Sequence, residues 1–226
     1  MDRIEKSITL GRENVPMNFY NQVLTDEQRR VLELLAPVMT RNDFYLAGGT
    51  AIALHLGHRR SVDLGWFTGK PISDALQLAE TIKENEIPLT VRSVEKGTLN
   101  GDIHGVRVTF LEYRYPHLTK PIRLPKPGCN LASLDDLCAM KLSAIAQRGF
   151  RKDFIDIYAL LKRHESLKAM ISVYRKKYQI TDIAHLLYAL AYFSDAENEP
   201  MPVLVWDIEW EAVKETIRKQ IKSIAK

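Results

Sequence analysis

The feature that most constrains this chain is a break in texture at Pro121, Pro125, Pro127 and Gly128. Prolines this dense neither continue a helix nor sit in a central strand, so the segment is a connector. Before it, short runs rich in β-branched and aromatic residues alternate with helical patterns. After it, every periodic segment repeats at helical spacing. The expected fold is α+β. A small mixed β-sheet with flanking helices and an N-terminal helix fills residues 1–120, and a helical bundle fills 121–226.

Local signals place the elements. Thr25 with Gln28 forms a capping box for a helix bearing Val31, Leu32, Leu34 and Leu35 and ending near Pro37. Asp43–Ala47 is a strand running into Gly48-Gly49-Thr50, Ala51–Leu56 a short helix stopped by Gly57, and Arg60–Thr68 a second strand. Ser73 caps a helix carrying Ala75, Leu76, Ala79 and Ile82. Leu89–Lys96 and Gly105–Tyr113 read as strands joined by a hairpin at Asn100-Gly101-Asp102. Past the connector, Ser133 with Asp136 opens a helix, followed by Phe154–Arg163, Leu167–Lys177 and Ile180–Phe193. Tyr188, Tyr192 and Phe193, at helical spacing, read as core.

Composition excludes several classes. An apolar fraction of 46% with 27% charged residues is that of a globular chain, not a disordered or collagen-like one. Apolar stretches such as Ile8–Gly11 fall far short of the roughly 18 residues of a membrane span, and no signal-peptide core is present. Cys129 and Cys138 make neither a disulfide framework nor a four-ligand zinc site, so a cytoplasmic location with reduced thiols is expected. His55 and His58 could chelate, but no third ligand follows at metal spacing.

The net charge of +4 is local: Lys214, Arg218, Lys219, Lys222 and Lys226 against Glu215 account for all of it. Val213, Ile217, Ile221 and Ile224 recur there at helical spacing, giving an amphipathic helix with a basic face. That face is a solvated surface, or a contact for RNA or an acidic partner.

Three segments could carry chemistry. In Gly48-Gly49-Thr50, between strand and helix, backbone N–H groups could cradle an anion, with the Thr50 hydroxyl adding a phosphate contact; a tight strand-to-helix turn is the commoner reason for such glycines. Asp63 lies on the second strand, where residues two apart share a face, so Gly65 stands where a paired metal carboxylate would be. Asp63 could also pair with a neighbouring arginine. The third segment holds Lys141 beside an apolar stripe, Arg148 two turns along, and Asp153 with Asp156 on the next helix. The cations face a phosphate-bearing ligand between the halves, or the carboxylates merely hold Arg148.

Together, Phe44–Ala51, Ser61–Phe67 and the stretch from Lys141 through Arg148, Asp153 and Asp156 to Leu161 resemble the AbiEii/AbiGii toxin family of nucleotidyltransferases, within the polymerase-beta-like superfamily. The resemblance runs from about residue 40 to 163 and implies a nucleotidyltransferase-like core that transfers NMP from an NTP to a hydroxyl of tRNA or protein. It implies Mg2+ (or Mn2+) on Asp63, with Gly48, Gly49, Thr50, Arg60, Lys141 and Arg148 binding nucleotide. Asp63, Lys141, Asp153 and Asp156 are its catalytic residues, and a separate antitoxin its partner.

The sequence departs from that pattern at the metal. Gly65 replaces the second carboxylate and Thr109 the acid of a later strand, while Arg107 brings a cation to the same face. Glu112 has the opposite parity. The expectation is an incomplete metal site; the alternative is a catalytically inactive protein that binds nucleotide, RNA or a protein partner.

Overall fold

The computed structural model describes residues 19–224, so Ile8–Gly11 and Lys226 lie outside it. Helix α1 (Asp26–Arg41) starts at the expected capping box, in which Gln28 N–H donates to Thr25 Oγ1 at 3.2 Å and Thr25 N–H to Gln28 Oε1 at 2.9 Å. It does not end at Pro37. That residue is exposed, so water can reach the Glu33 carbonyl that the proline leaves without a donor, while Leu35, Ala36, Val38 and Met39 bury the other face.

Strand β1 (Phe44–Ala47) leads into α2 (Gly48–Leu56), followed by β2 (Asp63–Thr68) and α3 (Ala75–Glu84). Asp74, not Ser73, caps α3, its carboxylate accepting from the Leu76 and Gln77 N–H groups. The expected hairpin is a three-stranded meander of β3 (Thr90–Glu95), β4 (Thr98–Ile103) and β5 (Val106–Glu112). Asn100-Gly101-Asp102 lies inside β4. The turns fall at Lys96-Gly97 and His104-Gly105, where Gly97, His104 and Gly105 all have positive φ. Gly101 is required by close approach: a Cβ there would stand 2.6 Å from a Leu89 methyl and 2.7 Å from the Thr90 carbonyl, beside a register shift in β3.

The connector is not structurally blank, and the chain beyond it is not wholly helical. It supplies β6 (Ile122–Arg123) and β7 (Asn130–Leu131), which complete a seven-stranded mixed sheet in the order β3-β4-β5-β2-β1-β7-β6. The remaining elements are α4 (Leu134–Gln147), α5 (Arg151–Arg163), α6 (Leu167–Tyr178), α7 (Ala184–Ala191), α8 (Ser194–Glu197) and α9 (Trp210–Ile224). Ser133 caps α4 as expected. Asp136, one turn in, accepts from Ser133 Oγ, from the Leu118 and Thr119 N–H groups, and from Lys177 Nζ at 2.5 Å. One carboxylate thereby ties the connector, α4 and α6 together.

One continuous apolar core runs from Val23 to Ile217. Phe193 belongs to it, but Tyr188 and Tyr192 do not: they are 71% and 42% exposed. The basic face of α9 is partly used internally, since Lys214 is buried between Glu197 and Glu211 and Arg218 lies 5.1 Å over the Phe193 ring. Among the described residues no helix is long and apolar enough to cross a membrane.

Candidate functional site

A cleft of about 260 Å3, continuous with a second chamber of about 230 Å3, opens between the sheet and the helices. Its floor is the start of α2. Gly48 has φ +73°, a conformation costly to any residue with a Cβ, and from it the first-turn N–H groups of α2 lack intrahelical acceptors. Gly49 answers to a different demand: a Cβ there would lie 2.4 Å from the Arg59 guanidinium. The Thr50 hydroxyl is not available to a ligand. It is 1% exposed and bonded to Ser61 Oγ at 2.6 Å and to the Asp63 carbonyl, which leaves only its backbone N–H for an anion.

The helical wall is a buried charge cluster. Asp156 receives Arg59 as a fork, Nε on Oδ1 at 2.7 Å and Nη2 on Oδ2 at 2.8 Å, and His58 Nε2 lies 2.7 Å from Oδ1. Lys141 Nζ stands 2.8 Å from Asp156 Oδ2 and 2.7 Å from Asp153 Oδ1, and Arg148 reaches Asp153 at 3.1 Å. Both carboxylates are completely buried. Burial opposes their ionisation, but Arg59 and Lys141 hold Asp156 well below the usual carboxylate range, and Lys141 with Arg148 lowers Asp153. Burial likewise keeps His58 neutral against the pull of Asp156, and Lys141 remains an ammonium because its two carboxylates outweigh its desolvation.

Three cations against two carboxylates leave one surplus positive charge on this wall. The Lys141 ammonium donates to Asp153 Oδ1 and stands in ion-pair range of Asp156 Oδ2, and the residue lines both chambers, so donor capacity remains for a ligand.

The sheet wall is different. Asp63, Gly65 and Phe67 share the half-buried face of β2, and β5 pairs with it in parallel register: Asp63 with Arg107, Gly65 with Thr109. The three acid positions implied by the resemblance therefore face one cleft, and only Asp63 is acidic. Its carboxylate makes no ion pair among the described residues, because Arg59 is spent on Asp156. Thr109 donates to Asn100 at 2.9 Å. Glu112 is turned away from the cleft, accepting from the Ile72 N–H at 2.8 Å and pairing with Arg114. A Cβ on Gly65 would lie 3.1 Å from the Phe67 ring, so a side chain there needs that ring to give way slightly. A two-metal clamp needs several convergent carboxylates. This donor set does not fit one, and among the described residues no group of three or more His, Cys, Asp or Glu is arranged around a common point.

Of the residues expected at the site, Gly48, Gly49, Thr50, Asp63, Lys141 and Arg148 line it. Asp153 and Asp156 lie behind it as partners of the cations. Arg60 does not belong there: its side chain is exposed outside the cleft lining, and its N–H pairs with the Val203 carbonyl at 2.8 Å. Arg59 was the missed residue. The signal was available, because positions 59, 61 and 63 share a face of an extended segment whereas 60 does not. Tyr113 and Lys152, which also line the cleft, carried no motif signal, while Phe67 closes the second resembling segment.

The sequence profile described as "Nucleotidyl transferase AbiEii toxin, Type IV TA system" matches residues 109–223, just over half the chain. The chain belongs to the AbiEii nucleotidyltransferase toxin family. An uncharacterized protein of Aquifex aeolicus (strain VF5) is 38% identical over 205 residues, spanning 88% of this chain and 96% of its own length. The fold is shared with JHP933 from Helicobacter pylori (TM-score 0.55, 16% identity, 91% of this chain and 93% of that one). It is shared as well with MenT4, a nucleotidyltransferase toxin from Mycobacterium tuberculosis H37Rv (TM-score 0.55, 15% identity, 88% and 82%). The AbiEii match begins at Thr109 within β5, takes in Lys141, Arg148, Asp153 and Asp156, and runs into α9; it thus reaches past residue 163 and leaves Gly48–Gly65, Arg59 included, outside.

Proposed function

We propose that this chain is a toxin-type nucleotidyltransferase scaffold that binds a nucleoside triphosphate with its metal site reduced to Asp63. The triphosphate lies over the free N–H groups at the start of α2 and against Lys141 and Arg148. The observation that carries this reading is the surplus cation wall: Lys141 is fixed between two buried carboxylates and lines the same cleft as Gly48 and Gly49. Such fixed donors stabilise negative charge without reorganising. The reaction open to the scaffold is transfer of the nucleoside monophosphate to a hydroxyl of RNA or protein, with pyrophosphate leaving toward the cations. The toxin–antitoxin description of the family supports a cognate antitoxin as partner.

Gly65 and Thr109 favour a second reading, nucleotide binding without turnover. Calorimetric titration of each NTP with Mg2+ and with EDTA, followed by labelled-NTP transfer to bulk tRNA and total protein, separates the two. Affinity that differs by less than about threefold between the two conditions supports the reduced metal site. A Mg2+ dependence of about tenfold or more would overturn it. Label transfer by the native protein would sink the non-catalytic reading.

A further inference from the structure

Leu137, Met140, Ala144 and Gln147 fall on one stripe of α4, because they are spaced three or four residues apart. With Phe67 and Leu111, which pair in the parallel register of β2 and β5, and with Tyr113 just beyond β5, that stripe lines the 230 Å3 chamber. Ile52 and Leu137, also in its lining, are fully buried, so this end of the space is apolar.

The two chambers differ in kind. Arg59, Asp63 and Lys152 line only the 260 Å3 cleft, whereas Lys141 and Arg148 line both spaces. Apart from those two shared cations, the side chains of the 230 Å3 chamber are uncharged among the described residues. Its polar side chains are Tyr113, Ser143 and Gln147. Gln147 Nε2 donates to Ser143 Oγ at 2.9 Å, and the Tyr113 hydroxyl is bonded to that of Tyr178. Tyr178 is not part of the lining, so Tyr113 gives the chamber its ring, packed against Phe67 at 5.6 Å with the planes 84° apart. The bond to Ser143 leaves Gln147 one amide proton and its carbonyl oxygen, a donor beside an acceptor.

A phosphate gains nothing from an apolar slot, and an aliphatic chain makes no use of a fixed amide. A flat ring with hydrogen-bonding edges uses both: the apolar side chains take its faces and the amide takes its edge. A nucleotide carries such a ring at one end and phosphates at the other, and the two chambers match those ends.

We propose that the 230 Å3 chamber holds the nucleobase, that Gln147, braced by Ser143, selects among the bases, and that the sugar passes Lys141 and Arg148 so that the phosphates lie toward Asp63 and Lys152. This rests on reading the cleft as the nucleotide site. It adds which end of the nucleotide enters which chamber and which side chain sets the base preference.

The test is calorimetric titration of the full chain with ATP, GTP, CTP and UTP and, as a probe without a base, inorganic tripolyphosphate. The wild type binds its preferred NTP at least about tenfold more tightly than the weakest of the four. Gln147→Ala brings the four within about threefold of one another. Ala144→Leu, which fills the slot, weakens all four by about tenfold or more. Neither variant moves tripolyphosphate affinity by more than about twofold. Gln147 is exposed and leucine is a good helix former, so both variants keep the fold, which circular dichroism checks. Equal affinity of the wild type for the four NTPs, or a preference that survives Gln147→Ala, would overturn the proposal. So would a loss of tripolyphosphate affinity in Ala144→Leu as large as the loss for the NTPs. Tripolyphosphate binding with no preference among NTPs sinks the chamber alone. No binding of tripolyphosphate or of any NTP sinks the nucleotide reading of the cleft and the chamber with it.

Discussion

The two walls of the cleft were built under different physical demands. The helical wall, Lys141, Asp153, Asp156 and Arg59, is buried, and each charge answers another. The sheet wall, Asp63, Gly65 and Thr109, is half exposed, and its one carboxylate answers to nothing else in the described chain. A buried charge stripped of its partner costs the fold several kcal/mol, whereas a half-exposed residue on a strand face can change at little cost. The helical wall therefore serves the fold whether or not a ligand arrives. The sheet wall is the more direct witness to chemistry, and it is the wall that lacks its acids.

Removing a charge from each wall should expose this asymmetry. Asp156→Ala strips buried Arg59 of its carboxylate and leaves Lys141 with Asp153 alone, and a loss of about 3–5 kcal/mol in urea unfolding is expected. Asp63→Asn on the opposite wall should change stability by less than about 0.5 kcal/mol. Equal losses would break the comparison.

A smaller effect should follow from rebuilding the sheet wall. Gly65→Asp alone meets the Phe67 ring at 3.1 Å, so the useful variant pairs it with Phe67→Leu. In that double variant, Mg2+ should tighten NTP binding by about tenfold, measured by titration, where the native chain should show little dependence. If the double variant is as indifferent to Mg2+ as the native chain, Gly65 is not the limiting defect.

The smallest effect is in the pH dependence of the helical wall. His58 is held neutral by burial, so below the ordinary imidazole range of about 6.5 the unfolded chain takes up a proton that the folded chain refuses. Stability should fall as pH drops through that range, at no more than about 1.4 kcal/mol per pH unit for this one group. The lowered Asp153 and Asp156 act in the same direction at more acid pH: their contribution is complete above the ordinary carboxylate value and is lost as pH falls toward their folded values. Thermal melts from pH 7 to 5 should show a shallower fall in His58→Gln. An identical slope would remove His58 from the account.

Much of this arrangement was legible in the chain because strand and helix periods are local. The capping box at Thr25, the strand–Gly48–helix junction, and the parities of Asp63 with Gly65 and of Arg107 with Thr109 follow from spacing, while the meeting of those two strands at one site is what the family resemblance implies. What was not legible depended on distant packing. Pro37 stays within α1 because its neighbours are buried, and Gly101 is small because Leu89 presses on it. Tyr188 has the spacing of a core residue, yet among the described residues no element covers it. Parity with Asp63 sets Arg59 apart from Arg60, but its partner Asp156, 97 residues on, is not legible from spacing.

The fork between Arg59 and Asp156 joins residues 97 apart in sequence. At a synthesis rate of about 5–20 residues per second, Arg59 waits roughly 5–20 s on the ribosome for its counter-ion to be made. Over that interval the β1–α2–β2 segment exists without the helices that complete the cleft. A chain of this toxin family that is interrupted before α5 carries its glycine turn and Asp63 but no fixed cation wall. The order of synthesis thus withholds the site until most of the protein has been translated.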